Sequence, residues 1–279
     1  MPGPDADLAL LLDAARGAGA IARRHFRSGA RVWDKGDGQG PVTEADIAVN
    51  DYLRERLTAE RPGYGWLSEE SDPLGDLSRL SAETLFVIDP IDGTRAFIEG
   101  QNGFAHALAI VHRGEPVAAV VHLPMMALTY AALKGGGAQL NGAPIAVTDQ
   151  PGAPGARVLA TRPAMDPHHW PGGVPAVERH FRPSLAWRLA LVAEGRFDGM
   201  VTLREAWDWD IAGAALIVAE AGGRATDRTG APLRFNTGNA RNAGVVAAGP
   251  ALQAALIARL TAPGPGADPV PPPDLRRVP

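Results

Sequence analysis

The stretch from Glu83 to Phe97 constrains the chain more than any other. Leu85, Phe86, Val87 and Ile88 form a continuous apolar run rich in strand formers. Such a run predicts a strand buried on both faces. It is followed by Asp89, Pro90, Ile91, Asp92, Gly93 and Thr94. Pro90 fixes φ and offers no ladder donor, which predicts that the strand ends there in a turn. The turn would bring Asp89 and Asp92 to the strand mouth, beside the backbone N–H groups of Gly93 and Thr94. Two carboxylates next to an anion-binding turn repel a phosphate unless cations intervene. The economical reading is a divalent metal site that also holds a phosphoryl group.

Two other readings compete. Asp89 and Asp92 can serve as turn and helix-cap residues alone, and an isolated D-x-x-D does not decide between cap and metal ligand. Aspartyl-phosphate chemistry needs D-x-D-x-T, with nucleophile and acid two residues apart. Here the second Asp comes three residues on and Pro90 intervenes, so that reading fails on spacing.

Composition removes other classes. The 279 residues suffice for one large domain or two ordinary ones, and 46% hydrophobic residues supply a full core. A net charge of −4 gives no basic field for nucleic acid or an anionic membrane. No apolar run approaches a membrane span, and residues 1–7 lack the pattern of a signal peptide. Cysteine is absent, which excludes disulfides, thiolate catalysis and Cys-bound zinc. These features together lead us to expect a cytoplasmic protein.

The remaining chain supplies further acidic ends. A helix is predicted from about Asp7 to Phe26, then a glycine-rich loop from Ser28 to Gly40 that carries Trp33 and Lys35. Pro41 to Asp46 opens a second helix, with Thr43 as N-cap, Glu44 and Asp46 in the first turn, and Val49, Leu53 and Leu57 as its buried stripe. On these grounds Asp46 is helix-start chemistry, though on a rigid support. A short strand from Tyr64 to Leu67 runs into Glu69 and Glu70, repeating the pattern of an apolar strand that ends in carboxylates. A hairpin joins 105–111 to 116–123, and His106, His112 and His122 read as strand-face residues, not metal ligands. Residues 148–155 are linker-like. Beyond them come a helix over 184–194, a strand over 197–202, and an Ala- and Gly-rich helix capped by Asp210 with Glu205 and Asp208 nearby. A strand over 244–248, a helix over 250–260 and a disordered tail from Pro263 complete the reading.

Several of these segments, in this order, resemble the inositol monophosphatase family of magnesium-dependent, lithium-sensitive phosphomonoesterases. The segment Asp89–Thr94 with Phe97 is similar to the family's central signature. Residues 209–213 followed by 220–223 are similar to its second one. Glu69 and Glu70 stand where the family has an acidic pair, and 41–46 and 140–145 also fit. The resemblance implies an α+β, αβαβα layered sandwich. Residues 1–148 would form an N-terminal α+β lobe, 149–262 a C-terminal α/β lobe completing the site, and 263–279 the tail. It implies Mg²⁺ as cofactor, in two or three ions, with Li⁺ inhibitory. Glu69, Asp89 and the Ile91 carbonyl would hold the first ion, and Asp89, Asp92 and Asp210 the second. Gly93 and Thr94 N–H groups would bind phosphate, with Lys35 close by. Thr94, oriented by Asp46, would help Glu69 position the attacking water for in-line displacement. Family members are often homodimers.

The substrate is read from fewer residues. Inositol monophosphatases carry a Glu where this chain has Leu203, and Arg204 lies beside it. Arg188 falls where inositol phosphatases often have Asp or Asn. Two arginines at the substrate end suit a second phosphate. The run 185–195 is similar to the bacterial 3′(2′),5′-bisphosphate nucleotidase branch, which implies adenosine 3′,5′-bisphosphate as substrate. Trp187 is either a base-stacking partner or a core side chain, and Arg188 and Arg204 could equally be solvated ends. The competing expectations are an inositol, sugar or histidinol phosphatase, and a non-catalytic binding protein on the same fold.

Overall fold

The structure, a computed structural model, describes residues 3–36, 40–72 and 77–263. The expected disordered tail therefore lies, except for residue 263, outside the described residues. The elements run α1 (Pro4–His25), β1 (Val32–Asp34), β2 (Pro41–Thr43), α2 (Glu44–Glu60), β3 (Gly65–Ser68), β4 (Thr84–Asp92) and α3 (Thr94–Ile98). Next come β5 (Ala105–His112), β6 (Glu115–Leu123), β7 (Leu128–Leu133), β8 (Gly137–Leu140), β9 (Ala143–Pro144), β10 (Arg157–Ala160) and β11 (Glu178–His180). The last are α4 (Leu185–Ala193), β12 (Gly199–Thr202), β13 (Ala206–Trp207), α5 (Asp208–Glu220), β14 (Arg224–Thr226), β15 (Arg241–Asn242), β16 (Val245–Ala248) and α6 (Pro250–Leu260).

Two sheets organise the chain. Strands β3 to β9 form a seven-stranded sheet in sequence order, with β3 and β4 parallel and the rest antiparallel. A five-stranded sheet has the order β11-β10-β12-β16-β14. Period two sorts the side chains of the large sheet onto two faces. On one face Phe86, Ile88, Leu108 and Ile110 pack with Leu11, Ala15, Val49 and Leu53 of α1 and α2. On the other, Leu85, Val87, Ala107 and Ala109 join α4, α5 and the inner face of the second sheet in one continuous cluster. Helix α6 covers the outer face of the second sheet through Leu252 and Leu256. The layers are thus α, β, α, β, α, as the resemblance implied.

Helix α5 sits in the middle layer because it is apolar nearly all round, as a helix between two sheets must be. Its small residues let the sheet come close: a Cβ at Gly213 would lie 3.1 Å from the Leu108 carbonyl oxygen.

Four local expectations are corrected. The loop from Ser28 to Gly40 contains β1, which pairs antiparallel with β2, so Pro41 to Thr43 are strand and the helix begins at Glu44. Thr43 is still the N-cap, in a capping box with Asp46. Asp210 does not cap α5; Trp207 holds the cap position and Asp210 lies in the first turn. Finally, β4 does not end at Asp89. It continues to Asp92, because the ladder absorbs Pro90 as an irregularity instead of turning away.

Candidate active site

The irregularity in β4 builds the site. Asp89 pairs with Ala107 and Asp92 with Ala105, so Pro90 and Ile91 together face the single residue His106. Two residues against one is a β-bulge, and it resets the alternation of side chains. Strict alternation would put Asp92 on the same face as Phe86 and Ile88, inside the apolar layer under α1 and α2. With the bulge, Ile91 takes that place beside Ile88. Asp92 instead turns to the same side as Asp89, where α4 and α5 begin.

Asp210 reaches this point from the first turn of α5. Asp89, Asp92 and Asp210 bring carboxylate oxygens within 4.8 Å of one another. Burial pushes the Asp89 and Asp210 carboxyls well above the ordinary range, and the surrounding acidic groups push them further. Burial also raises Asp92, against the hydrogen bonds it accepts. Ser184 Oγ donates to its Oδ2 at 2.6 Å, as does Ala186 N, and Leu185 N donates to Oδ1 at 3.2 Å. Asp92 thus terminates α4 as well as facing the cluster, as expected for an anion at a helix N-terminus. Asp89 is different: its Oδ1 is buried and accepts no hydrogen bond among the described residues.

Glu69 follows β3, with its backbone N–H bonded to the Ile88 carbonyl at 3.1 Å. Its side chain meets Lys35 Nζ at 2.9 Å, and Glu70 meets the same ammonium at 2.7 Å. Burial raises Glu70 to about 7 even against Lys35. Burial alone would lower Lys35, but the two carboxylates outweigh it and hold its pKa up.

Thr94 Oγ1 lies 3.2 Å from Asp46 Oδ1 and 3.1 Å from the Ile91 carbonyl oxygen. Asp46 Oδ2 accepts from Thr43 N at 2.8 Å. Burial raises Asp46 to about 6, partly offset by the Thr43 bonds. Gly93, with φ 101°, adopts the left-handed conformation that starts α3, and a Cβ there would meet the Gly103 carbonyl at 3.4 Å.

These groups open onto a cavity of about 1340 Å³ lined by Glu69, Asp89, Asp92, Thr94, Arg188, Leu203, Arg204 and Asp210, among others. Arg188 is buried, not a solvated helix end. Its Nε donates to the Arg182 carbonyl, its Nη2 to Pro183 O at 3.1 Å, and its guanidinium lies over Phe181, 4.5 Å from the ring centroid. Trp187 lines the cavity yet is mostly core, 7% exposed. Arg204 is exposed at the rim. The cavity lining includes Glu69, Asp89, Ile91, Asp92, Gly93, Thr94, Arg188, Arg204 and Asp210, and Lys35 and Asp46 touch it through Glu69 and Thr94. Glu205 and Asp208 are used elsewhere: Glu205 pairs with Arg241, and Asp208 accepts from Asn236 N and Asn242 Nδ2. Ser184 was missed. Sequence reading gave it only a helix start, and its bond to Asp92 spans 92 positions.

The donor set fits hard divalent cations. The three side chains of the cluster offer carboxylate oxygens, and Asp89 Oδ1 is a buried acceptor without a donor among the described residues. The sequence matches the model of the inositol monophosphatase family over residues 5–262. A 3′(2′),5′-bisphosphate nucleotidase CysQ of Aggregatibacter actinomycetemcomitans is 30% identical over 81% of this chain and 86% of its own. An inositol-1-monophosphatase of Rhizobium meliloti is 35% identical over 71% of this chain and 76% of its own. The crystal structure of the extragenic suppressor protein suhB from Bartonella henselae superposes with a TM-score of 0.77 at 26% identity, covering 92% of this chain and 99% of that one. On the match of nearly the whole chain, and on relatives of this identity and coverage, the protein belongs to the inositol monophosphatase family.

Proposed function

We propose that the chain is a Mg²⁺-dependent, Li⁺-sensitive phosphomonoesterase that cleaves a small phosphate ester by in-line attack of water. The observation that carries this is the cluster of Asp89 and Asp92, buried, and Asp210, half-buried, whose carboxylate oxygens lie within 4.8 Å of one another on one cavity, with Arg188 acting only on Asp92 and Asp210 and Arg204 on Asp210. Such mutual repulsion is costly unless a cation binds, which also argues against a non-catalytic protein. Glu69, Asp89 and the Ile91 carbonyl would hold one ion, and Asp89, Asp92 and Asp210 another. The chemistry such ions supply when bound is Lewis-acid stabilisation of phosphoryl charge and acidification of water.

The chain's own groups do the rest. Asp46 Oδ1 accepts the Thr94 hydroxyl proton and so fixes the orientation of the Thr94 oxygen. That oxygen and Glu69 can then accept hydrogen bonds from the attacking water and position it, with Glu69 placed to take the one proton the water gives up. The backbone N–H groups of Gly93 and Thr94 orient the phosphoryl oxygens. Lys35 holds Glu69 and adds positive charge beside the phosphate.

For the substrate we propose adenosine 3′,5′-bisphosphate, cleaved to AMP and phosphate. Arg188 and Arg204 on the same cavity suit a second phosphate. The cavity exceeds the usual range of roughly 300–1,000 Å³ for small-ligand sites, and the nucleotidase relative supports the reading. The second reading, an inositol-1-monophosphatase, is favoured by the Rhizobium meliloti relative. Phosphate release from adenosine 3′,5′-bisphosphate and from inositol 1-phosphate, measured side by side with Mg²⁺ and with or without Li⁺, separates them. A preference for the nucleotide is expected, together with a loss of that preference in Arg204→Ala. A preference for inositol 1-phosphate would remove the second-phosphate argument and leave the metal cluster standing.

A further inference from the structure

The bulge that re-aims Asp92 is buried, so the backbone it leaves out of the ladder needs a partner, and one side chain supplies it. His106 is the single residue opposite Pro90 and Ile91 in the ladder. Its Nδ1 bonds to the Pro90 carbonyl oxygen. A carbonyl can only accept, so Nδ1 must carry the proton. Pro90 has no N–H to give the ladder, which leaves its carbonyl as the group through which the bulge can be held.

The ring itself is held from behind. His106 is fully buried, on the face that looks towards α1, and its Nε2 has no hydrogen-bond partner among the described residues. His122 stacks on it at 6.1 Å between centroids, with 30° between the planes. His122 Nδ1 is in turn 2.9 Å from Thr129 Oγ1. Helix α1 closes over this pair at Gly19, where a Cβ would lie 2.8 Å from His122 Nε2. A polar side chain placed in an apolar layer, with one bond and no solvent, is costly unless that bond fixes something.

We propose that His106 is a positioning residue for the metal centre, which holds Asp89 and Asp92 on one face by pinning the Pro90 carbonyl between them. It touches neither substrate nor metal. Its effect passes through the phase of the strand, because relaxing the bulge rotates Asp92 away from Asp210. The inference rests on the proposed metal site.

The test compares His106→Leu, which removes the donor, with His106→Asn, whose side-chain amide can donate from nearly the position of Nδ1. The readout is the Mg²⁺ concentration that gives half of the maximal rise in melting temperature, with Mn²⁺ as a second probe. In His106→Leu that concentration should rise by about tenfold or more, the scale typical of residues that orient metal ligands. In His106→Asn it should stay within about threefold of wild type, since the orienting donor is kept. In both, kcat should follow metal occupancy while KM for the phosphate ester moves little. A folded His106→Leu protein with the wild-type Mg²⁺ dependence overturns the inference. If His106→Leu does not fold, His106→Asn decides alone, and a tenfold loss there overturns it. A wild-type protein with no response to either ion refutes the metal site itself, a result distinct from a wild-type response that His106→Leu leaves untouched.

Discussion

Asp89 is 1% exposed, and one of its oxygens accepts no hydrogen bond among the described residues. Without a cation, its charge is opposed by burial, Glu69, Asp92 and Asp210 together. Replacing it with Asn removes the charge and keeps the shape. Asp89→Asn should therefore raise the melting temperature measured in EDTA. The same substitution should abolish the rise produced by Mg²⁺ in wild type. Phosphatase activity should fall by more than about 100-fold, the upper range for residues that only orient a metal ligand. A variant less stable than wild type in EDTA would show that the carboxylate is held by something other than an absent cation. From the residues alone Asp89 and Asp92 were legible as either caps or metal ligands and Asp210 as a helix cap; their joint role was implied by the resemblance, because the contact between them joins elements far apart in the chain. The pairing of Lys35 with Glu69 and Glu70 was not legible, because it joins residues 34 and 35 positions apart across a glycine-rich loop.

At the scale of elements, the site depends on how β4 ends and where α4 starts. Counting alternation along the strand gives the wrong face for Asp92, and proline suggests a turn. The bulge reconciles the two, but it exists only because β5 offers a one-residue gap at His106. No local propensity encodes that pairing. The N-cap of α4 was equally hidden in part. Ser184 is readable as a cap, and its side chain does accept from Trp187 N at 3.0 Å. Its bond to Asp92 ties the cap to the carboxylate cluster. Ser184→Ala should cost about 1 kcal/mol in a denaturation experiment carried out in EDTA. Equal stability of variant and wild type would mean that Asp92 alone is a sufficient cap for α4.

For the whole molecule, the layered order was legible from the family resemblance more than from the residues. Periodicity located the helices and most strands, but which sheet α5 covers is decided by packing on both sides at once. The layer between the large sheet and α1 also contains two buried histidines. Burial lowers His106 to about 3 and His122 to about 4, from an ordinary value near 6.5. The unfolded chain thus binds more protons at these groups between pH 6.5 and 4. Their contribution is fully present above pH 6.5 and is lost as the pH falls below it. Asp46, raised to about 6, has the opposite sign and partly masks this in wild type. Comparison with His122→Asn removes the masking, since both proteins keep Asp46. The stability of wild type relative to that variant should fall by about 2 kcal/mol between pH 6.5 and pH 5. A pH-independent difference would mean that His122 is hydrated or already charged. The central claim, that a bulged strand and a helix start bring three carboxylates together to hold divalent ions, is tested most directly by anomalous diffraction from crystals soaked in Mn²⁺. Peaks bounded by Asp89, Asp92 and Asp210, with Glu69 on the far side, are the predicted result. Full soaking with no anomalous peak at these carboxylates, or with peaks only elsewhere, would contradict the account.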